Sequence, residues 1–377
     1  MTDRPHKGLL PAGFRDVLPP DAAFEAEVTE RLAGFFAANG YDRVRPPLVE
    51  FEETLLSGSG AATGDHVFRF MDPLSHRMMG MRADMTPQVA RIATTRLINV
   101  PRPLRLGYVG PVLRVTGAGL RPERQSLQAG VELIGSARPE ADAEVVFLVA
   151  EALTKLGVRD VSVDLNLPTL APAVLAGLGV GPEKTERLRR ALDHKDMSVL
   201  EAGGGASRLL GALVAACGPA DRAVVALAAL DLSPAAAAER DILTQVVRLI
   251  RGEAPALTLT VDPVEHRGFE YHAGVSFAVF ARGAPGELGR GGRYRVGAGE
   301  AAVGATLFVD AVLEALERPV PGRRVLLPPG TPRVTARAWQ AEGWVTVLAL
   351  DPAESLNAAA ARLGCSHILA GVRPMPA

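Results

Sequence analysis

Strand-like segments lie on both sides of a long helical stretch, and this arrangement constrains the fold more than any other feature of the chain. Between residues 103 and 135, LRLGYVGPVLRV and SLQAGVELIG read as strands, and VSVDLNL (161–167) alternates as a half-buried strand does. Residues 168 to about 255 are rich in Ala and Leu and predict short helices, after which the strand pattern returns at 257–261 and 275–281. The sequence therefore predicts a sheet domain that carries a helical insertion.

Helical periodicity predicts the segments that flank these strands. A helix is predicted to begin at Asp21, a suitable N-cap, and to stop at Gly40, and another helix is predicted to stop at Gly157. The Gly-rich segment GELGRGGRYRVG (286–297) predicts a turn, and AVGATLFVDAVLEAL (302–316) predicts a buried helix. These helices would pack around the predicted strands.

A second glycine-rich segment, SGSGAATGDH (57–66), has two interpretations. Its glycines could cradle a phosphate, but the P-loop signature with its Lys is absent. A flexible loop is the favoured interpretation.

The C-terminal tail reads as a separate small unit. PVPGRR (319–324) is typical of a linker, and the segments after it follow a β-α-β-α-β pattern. The tail contains no GxGxxG motif, so we assign it no nucleotide. We expect a core domain of residues 1–318 and a small α/β domain of residues 319–377.

Composition and charge exclude several classes of function. The formal net charge is −1, so no basic excess marks a nucleic-acid surface. Cys217 and Cys365 share no motif, and the seven histidines form no HExxH pattern and no cluster with Cys. The N-terminus has no apolar run of signal-peptide length, and no segment has the roughly 20 apolar residues of a membrane span. We expect a cytoplasmic protein without a metal or cofactor.

Six segments form an ordered set of motifs. They are LLPAGFRDVLPP (9–20), YDRVRPPLVEF (41–51), MRADMTPQVAR (81–91), PVLRVTGAGLRPERQSLQAGVELIG (111–135), EHRGFEYHAG (265–274) and GRGGRYRVG (289–297). Together they resemble the histidyl-tRNA synthetases, a family of class II synthetases, over about residues 8–317. The last two segments resemble the histidine-specific motifs RGLDYY and GGRYD. The resemblance implies an α/β (α+β) fold, with a class II synthetase-like core in which helices flank an antiparallel sheet.

The same resemblance implies a histidine-like pocket. A free amino acid needs a cation for its carboxylate and acceptors for its ammonium group. In the roles of the family, Asp84, Thr86 and Gln128 would hold the ammonium group. Arg267 would face the carboxylate, and Glu132 would accept a hydrogen bond from a ring nitrogen. The other pocket residues implied by the resemblance are Arg114, Tyr271, His272 and Tyr294.

Three positions of this pocket depart from the family pattern. The second Tyr of RGLDYY is His272 here, at a position expected to contact the imidazole. Asp84 is one methylene shorter than the Glu of the family, and Met85 replaces a small Gly. The pocket is therefore expected to differ in shape from that of a synthetase.

The positions that would serve ATP also differ. Class II motif 2 normally reads Arg-x-Glu, and here Arg114 is present but Thr116 stands in place of the Glu. The Arg of motif 3 is replaced by Ala311. Loss of one such electrostatic contact costs about 3–4 kcal/mol, or about 10²–10³ in rate. The tail of about 60 residues is also shorter than the anticodon-binding domain of the family. We therefore expect no adenylation and no catalytic residues.

A synthetase-like chain without ATP machinery resembles a second family, the regulatory subunits of ATP phosphoribosyltransferase. That resemblance implies a dimer through motif 1, assembled with the short-form catalytic subunit into a hetero-octamer. It also implies activation of that subunit and feedback inhibition with histidine as effector, at the first step of histidine biosynthesis. No nucleic-acid or membrane partner is expected. Two alternatives stay open: an active histidyl-tRNA synthetase, and another pseudo-synthetase that binds RNA.

Overall fold

A computed structural model describes residues 8–117, 122–179, 181–201, 207–265, 272–320, 322–371 and 373–377. The chain divides into two compact units, Met1–Glu317 and Arg318–Ala377. The strands are β1 (Asp42–Arg43), β2 (Val49–Phe51), β3 (Arg69–Met71), β4 (Met78–Met81), β5 (Leu104–Leu113), β6 (Gln125–Ile134), β7 (Val161–Asn166), β8 (Gly218–Pro219), β9 (Thr258–Asp262), β10 (Ser276–Ala281), β11 (Gly289–Val296), β12 (Glu300–Phe308), β13 (Arg324–Leu327), β14 (Val345–Leu348), β15 (His367–Ala370) and β16 (Arg373–Pro376). The helices are α1 (Asp21–Ala38), α2 (Glu52–Leu55), α3 (Thr86–Thr95), α4 (Pro139–Leu156), α5 (Leu170–Gly177), α6 (Pro182–Asp193), α7 (Met197–Glu201), α8 (Ser207–Ala215), α9 (Ala220–Ala228), α10 (Pro234–Glu253), α11 (Val309–Ala315), α12 (Arg333–Ala341) and α13 (Leu356–Arg362), with a 3-10 helix at Gly58–His66.

The central sheet organises the first unit. Its described residues include nine strands in the order β1-β5-β6-β12-β11-β10-β7-β9-β8. The strands from β5 to β7 in this order are antiparallel, whereas β1 pairs with β5 and β9 pairs with β7 in parallel. Helices α1 and α4 contact each other and pack against the sheet. This arrangement confirms the predicted α/β (α+β) fold, with helices flanking an antiparallel sheet.

The helical predictions for α1 and α4 are confirmed, with one change of detail. Helix α4 ends at Leu156, and its C-cap is Gly157, whose left-handed φ of 106° suits a residue without a Cβ. Helix α1 ends just before Gly40, but Asp21 is its first residue and not its N-cap. Pro20 takes the cap position, and it offers no side-chain acceptor.

Two predictions in the second half of the core are wrong. The segment predicted as a Gly-rich turn is strand β11, and the segment predicted as one buried helix is strand β12 followed by the short helix α11. Both strands are largely buried, so they lack the alternation of a half-exposed strand. Their glycines permit close approach, because a Cβ on Gly291 would lie 2.3 Å from the carbonyl oxygen of Gly304. The small residues of these segments predict a turn and a helix when only the local sequence is considered, but tertiary packing places them in strands.

The segment 57–66 also differs from its prediction as a flexible loop. Residues Gly58–His66 form a 3-10 helix. The Gly60 amide donates to the Ser57 carbonyl, and the Thr63 hydroxyl donates to the Gly60 carbonyl. These short-range hydrogen bonds give the segment a regular local structure despite its glycines.

The Ala- and Leu-rich stretch contains helices α5 to α10, as its composition predicts. Helix α10 contacts α4 and α5, and its buried face includes Leu243, Val247 and Ile250. The side chain of Ser233 accepts from the Ala236 amide and caps its N-terminus. Packing of α10 on α4 joins the helical stretch to the main hydrophobic core.

The second unit is a small α/β domain. Strands β13, β14 and β15 are parallel, as a β-α-β-α-β pattern predicts, and β16 adds an antiparallel strand that the sequence analysis did not predict. Leu326, Ala360 and Ile368 are buried in its core. In the part of the chain that the structure describes, no helix combines the length and apolarity needed to cross a membrane.

Candidate functional site

Two paired glycines, Gly292 and Gly304, form the floor of the candidate site. In the sheet, Glu132 of β6 pairs with Gly304 of β12, which pairs with Gly292 of β11. A Cβ on Gly304 would lie 1.7 Å from the Glu132 carboxylate, so any larger residue there would displace that side chain. The glycines therefore leave space above the sheet at the point where Glu132 stands.

This space is a pocket of about 310 Å³. Ligand-binding clefts generally have volumes of about 300–1,000 Å³, so this pocket lies at the small end of that range. Strands β11 and β12, the turn before α3 and the 3-10 helix all contribute to its walls. The lining residues include Asp84, Thr86, Arg114, Glu132, His272, Arg290, Tyr294, Thr306 and Phe308.

Glu132 is fully buried and is held by hydroxyl groups. The Tyr294 hydroxyl donates to Glu132 Oε2 at 2.6 Å, and the Tyr108 hydroxyl donates to Oε1 at 3.4 Å. Tyr108 also shares hydrogen bonds with Thr306 Oγ1 (2.7 Å) and Thr86 Oγ1 (3.3 Å). The carboxyl group is thus oriented by neutral donors.

The surroundings of Glu132 change its ionisation. Burial raises the pKa of its carboxyl group to about 8, and the nearby charge of Asp84 acts in the same direction. The hydrogen bonds from Tyr294 and Thr86 oppose this rise without cancelling it. A buried carboxyl group with a perturbed pKa in a pocket is typical of a functional site.

Asp84 lies in the turn before α3, where its side chain is fixed from both sides. Its Oδ1 accepts from the Thr86 amide at 2.8 Å, and its Oδ2 accepts from Gln128 Nε2 at 3.1 Å. Gln128 is buried, and its Oε1 accepts from the Met85 amide. Gln128 is not among the residues that line the pocket, and its contact with Asp84 places it in the layer behind the wall.

His272 lines the pocket and is buried. Burial, followed by the charge of Arg290, lowers the pKa of its imidazole to about 3. His272 therefore adds no charge to the pocket at neutral pH. A Cβ on Gly292 would lie 2.7 Å from the His272 ring, so this glycine also makes room for the substituted histidine.

The structure brings together six of the nine pocket residues named from the sequence: Asp84, Thr86, Arg114, Glu132, His272 and Tyr294. Gln128 supports Asp84, as described above. Arg267 and Tyr271 lie outside the described residues.

Sequence reasoning missed two contributors to the site. Arg290 belongs to the GRGGRYRVG motif, for which the sequence predicts a turn and not a strand with partners on either side. Thr306 falls in the segment predicted as a helix, whereas in the sheet it pairs with Arg290 across β11 and β12. Strand alternation around Tyr294 would have found Arg290, since residues 290, 292 and 294 share one face.

Two described positions at which class II synthetases carry ATP-binding side chains, 311 and 116, hold uncharged residues. Ala311 is fully buried in the main core, and Thr116 is exposed. Neither residue lines the pocket. In the described ranges, no group of three or more His, Cys, Asp and Glu side chains is arranged to hold a metal ion.

Comparisons with known proteins identify the family of the chain. Residues 13–312 match the histidyl-tRNA synthetase family. The chain is 61% identical to an ATP phosphoribosyltransferase regulatory subunit of Paramagnetospirillum magneticum, over 98% of both chains. It is 55% identical to the regulatory subunit of Rhodospirillum centenum, over 99% of this chain and 98% of the relative.

Solved structures support the same fold. A Bacillus halodurans structure described as an ATP phosphoribosyltransferase regulatory subunit/histidyl-tRNA synthetase superposes with a TM-score of 0.82. The two sequences are 23% identical, and the superposition covers 95% of this chain and 97% of the Bacillus halodurans chain. The ordered motifs, the glycine-floored pocket and the close relatives together show that the chain belongs to the family of ATP phosphoribosyltransferase regulatory subunits, built on a histidyl-tRNA synthetase-like fold.

Proposed function

We propose that this chain activates the short-form catalytic subunit of ATP phosphoribosyltransferase and conveys feedback inhibition by histidine. The partner would join ATP to phosphoribosyl pyrophosphate, giving phosphoribosyl-ATP and pyrophosphate. The observation that carries the proposal is the buried, hydroxyl-held carboxyl group of Glu132 in a small pocket. The kinship with regulatory subunits supports the same conclusion.

The pocket offers a complementary partner to each polar group of histidine. Glu132 and Tyr294 can bond the imidazole nitrogens, because an oxygen of the carboxyl group can accept from a ring N–H. Asp84 and the Thr86 hydroxyl can accept from the ammonium group, with Gln128 fixing Asp84. The glycines of the floor allow the flat ring to approach the backbone.

The proposed role is regulatory because two described positions, 116 and 311, do not carry the charged side chains that serve adenylate chemistry. Adenylation needs preorganised cations and donors around the phosphates. Ala311 is buried and apolar where motif 3 carries its Arg, and Thr116 stands in place of the adenine-binding Glu. Phosphoribosyl transfer would therefore take place on the catalytic subunit.

Histidine would act by favouring one arrangement of the assembly. Such coupling amounts to about 1–3 kcal/mol and is reciprocal, so the catalytic subunit must also change the affinity for histidine. We propose that the chain forms a dimer through residues 41–51 and joins the catalytic subunit in a cytoplasmic hetero-octamer.

The test is to mix the purified chain with the short-form catalytic subunit from the same source and to measure phosphoribosyl-ATP formation with and without histidine. We expect strong activation that histidine reverses. The matched variant is Glu132→Gln, which should still activate but respond only to higher histidine concentrations. No activation of a folded catalytic subunit would refute the proposal, and pyrophosphate exchange and tRNA binding would then be measured.

A further inference from the structure

Arg290 is a cation of the pocket to which the synthetase resemblance gave no role. It lies on β11 with Gly292 and Tyr294 on the same face of the strand. Tyr294 reaches Glu132 from this face, and Arg290 lines the same pocket. Arg290 therefore faces the ligand space, on the far side of Gly292 from Tyr294.

The spacing along β11 fits a ligand with two different ends. Glu132 is level with Gly304 and Gly292 across the sheet, and Arg290 lies two residues, or about 7 Å, further along β11. Gly292 and Gly304 contribute no side chain over this part of the floor. A ligand whose ring lies at Glu132 would extend over these glycines toward Arg290.

The guanidinium group of Arg290 is oriented but not fully used. Glu287 accepts from Arg290 Nε at 3.0 Å and lies 2.7 Å from Nη2. Among the described residues, no hydrogen bond uses Nη1 of Arg290. The ring of Phe308 supports the group, with its centroid 5.4 Å from Arg290 Cζ. An arginine held in this way keeps donors for a planar carboxylate.

The pocket wall carries side chains of both charge types. Among the described residues, Asp84 and Glu132 are the carboxyl groups that line it, and Arg114 and Arg290 are the arginines. The Arg114 Nε donates to the Ala83 carbonyl at 3.2 Å, which ties part of that group to the wall. His272 is neutral at physiological pH, so it cannot replace either cation.

We propose that Arg290 binds the carboxylate of the amino acid in this pocket and so distinguishes histidine from analogues that lack the carboxylate. This inference rests on the proposed function, because it takes histidine as the ligand. It adds a specificity-determining residue at a position outside those that the synthetase resemblance assigned.

The experiment measures binding of L-histidine and of histidinol, whose alcohol replaces the carboxylate, by titration calorimetry with the full-length chain. We expect Arg290→Gln to weaken histidine binding about tenfold to a hundredfold, as loss of a charge-assisted hydrogen bond does. Histidinol binding should stay unchanged, and Arg290→Lys should retain part of the preference for histidine. The matched control is Arg295→Gln, since Arg295 is exposed on the opposite face of β11.

The outcomes separate the two proposals. If the wild-type chain binds neither compound, the histidine-binding part of the proposed function fails. If the wild-type chain binds histidine and Arg290→Gln binds it equally well, the proposed function survives and the role of Arg290 is overturned. Equal losses for histidine and histidinol would also overturn it, because they would indicate a distorted pocket.

Discussion

Two neighbouring residues of β11 contact buried carboxyl groups on opposite sides of the same sheet. Tyr294 donates to Glu132 on the pocket side, whereas Arg293 donates to Asp142 of α4 on the other side, at distances from 2.5 to 3.2 Å. Arg293 also donates to the carbonyls of Ser136 and Arg138. The first carboxyl group faces a cavity and the second is enclosed by its partner.

This difference separates a candidate binding site from a structural ion pair. Asp142 and Arg293 satisfy each other, with side chains that are only 3% and 11% exposed, so the pair leaves no capacity for a ligand. Glu132 is held only by neutral hydroxyl donors and borders a cavity, so a cationic or N–H-bearing ligand can still gain from it. The burial of a carboxyl group alone would not have distinguished the two.

The largest expected effect is on the structural pair. Arg293→Met removes the cation and leaves Asp142 buried without its partner, which typically costs about 3–5 kcal/mol of unfolding free energy. Urea denaturation at a fixed protein concentration would measure this loss. The exposed neighbour gives the control, since Arg295→Met should change the unfolding free energy little.

A double variant sharpens this test. Arg293→Met combined with Asp142→Leu removes both charges, so it should recover much of the lost stability. A double variant no more stable than Arg293→Met would contradict the view that the uncompensated charge causes the loss.

On the pocket side, substitution of Glu132 should affect binding more than folding. Above its pKa of about 8, Glu132 offers the imidazole N–H a charged acceptor and Glu132→Gln offers only a neutral one, so we expect histidine affinity there to fall about tenfold. Calorimetric titration would measure this. Glu144→Gln is the control, because Glu144 bonds to Tyr41 and Arg105 and does not line the pocket. Equal affinity of wild-type and Glu132→Gln chains would remove Glu132 from the binding site.

A further expected effect is a pH dependence of the unfolding free energy that belongs to Glu132. Its folded pKa of about 8 lies above its ordinary value of 4.5, so the folded state holds more protons than the unfolded state between these limits. This contribution to stability is complete below pH 4.5 and is lost as pH rises through about 8. Between these pH limits, the unfolding free energy should fall by up to about 1.4 kcal/mol per pH unit. Urea denaturation from pH 5 to 8 should show this decline for the wild-type chain, reduced in Glu132→Gln. Parallel curves for both proteins would contradict the assignment.

Much of the fold could be predicted from local signals. The ten-residue strands β5 and β6, helix α4 with its left-handed Gly157, and the helical stretch of α5 to α10 follow periodicity and capping rules that act over a few residues. Strands β11 and β12 could not be predicted in this way. Their small residues are required by the contact between Gly291 and Gly304, which are close only in the folded sheet.

Some features of the candidate site could likewise be predicted from local sequence, and others depend on the folded sheet. Sequence motifs alone identified Asp84, Glu132 and Tyr294, because their residue types occur in an ordered set that resembles one family. The raised pKa of Glu132, the glycine floor and the approach of Arg290 from β11 depend on residues far apart in the chain. Burial and strand register create these properties, and neither is encoded within a single segment. The sequence by itself determined the family and the chemical character of the pocket, whereas tertiary structure decided which carboxyl group stays open to a ligand.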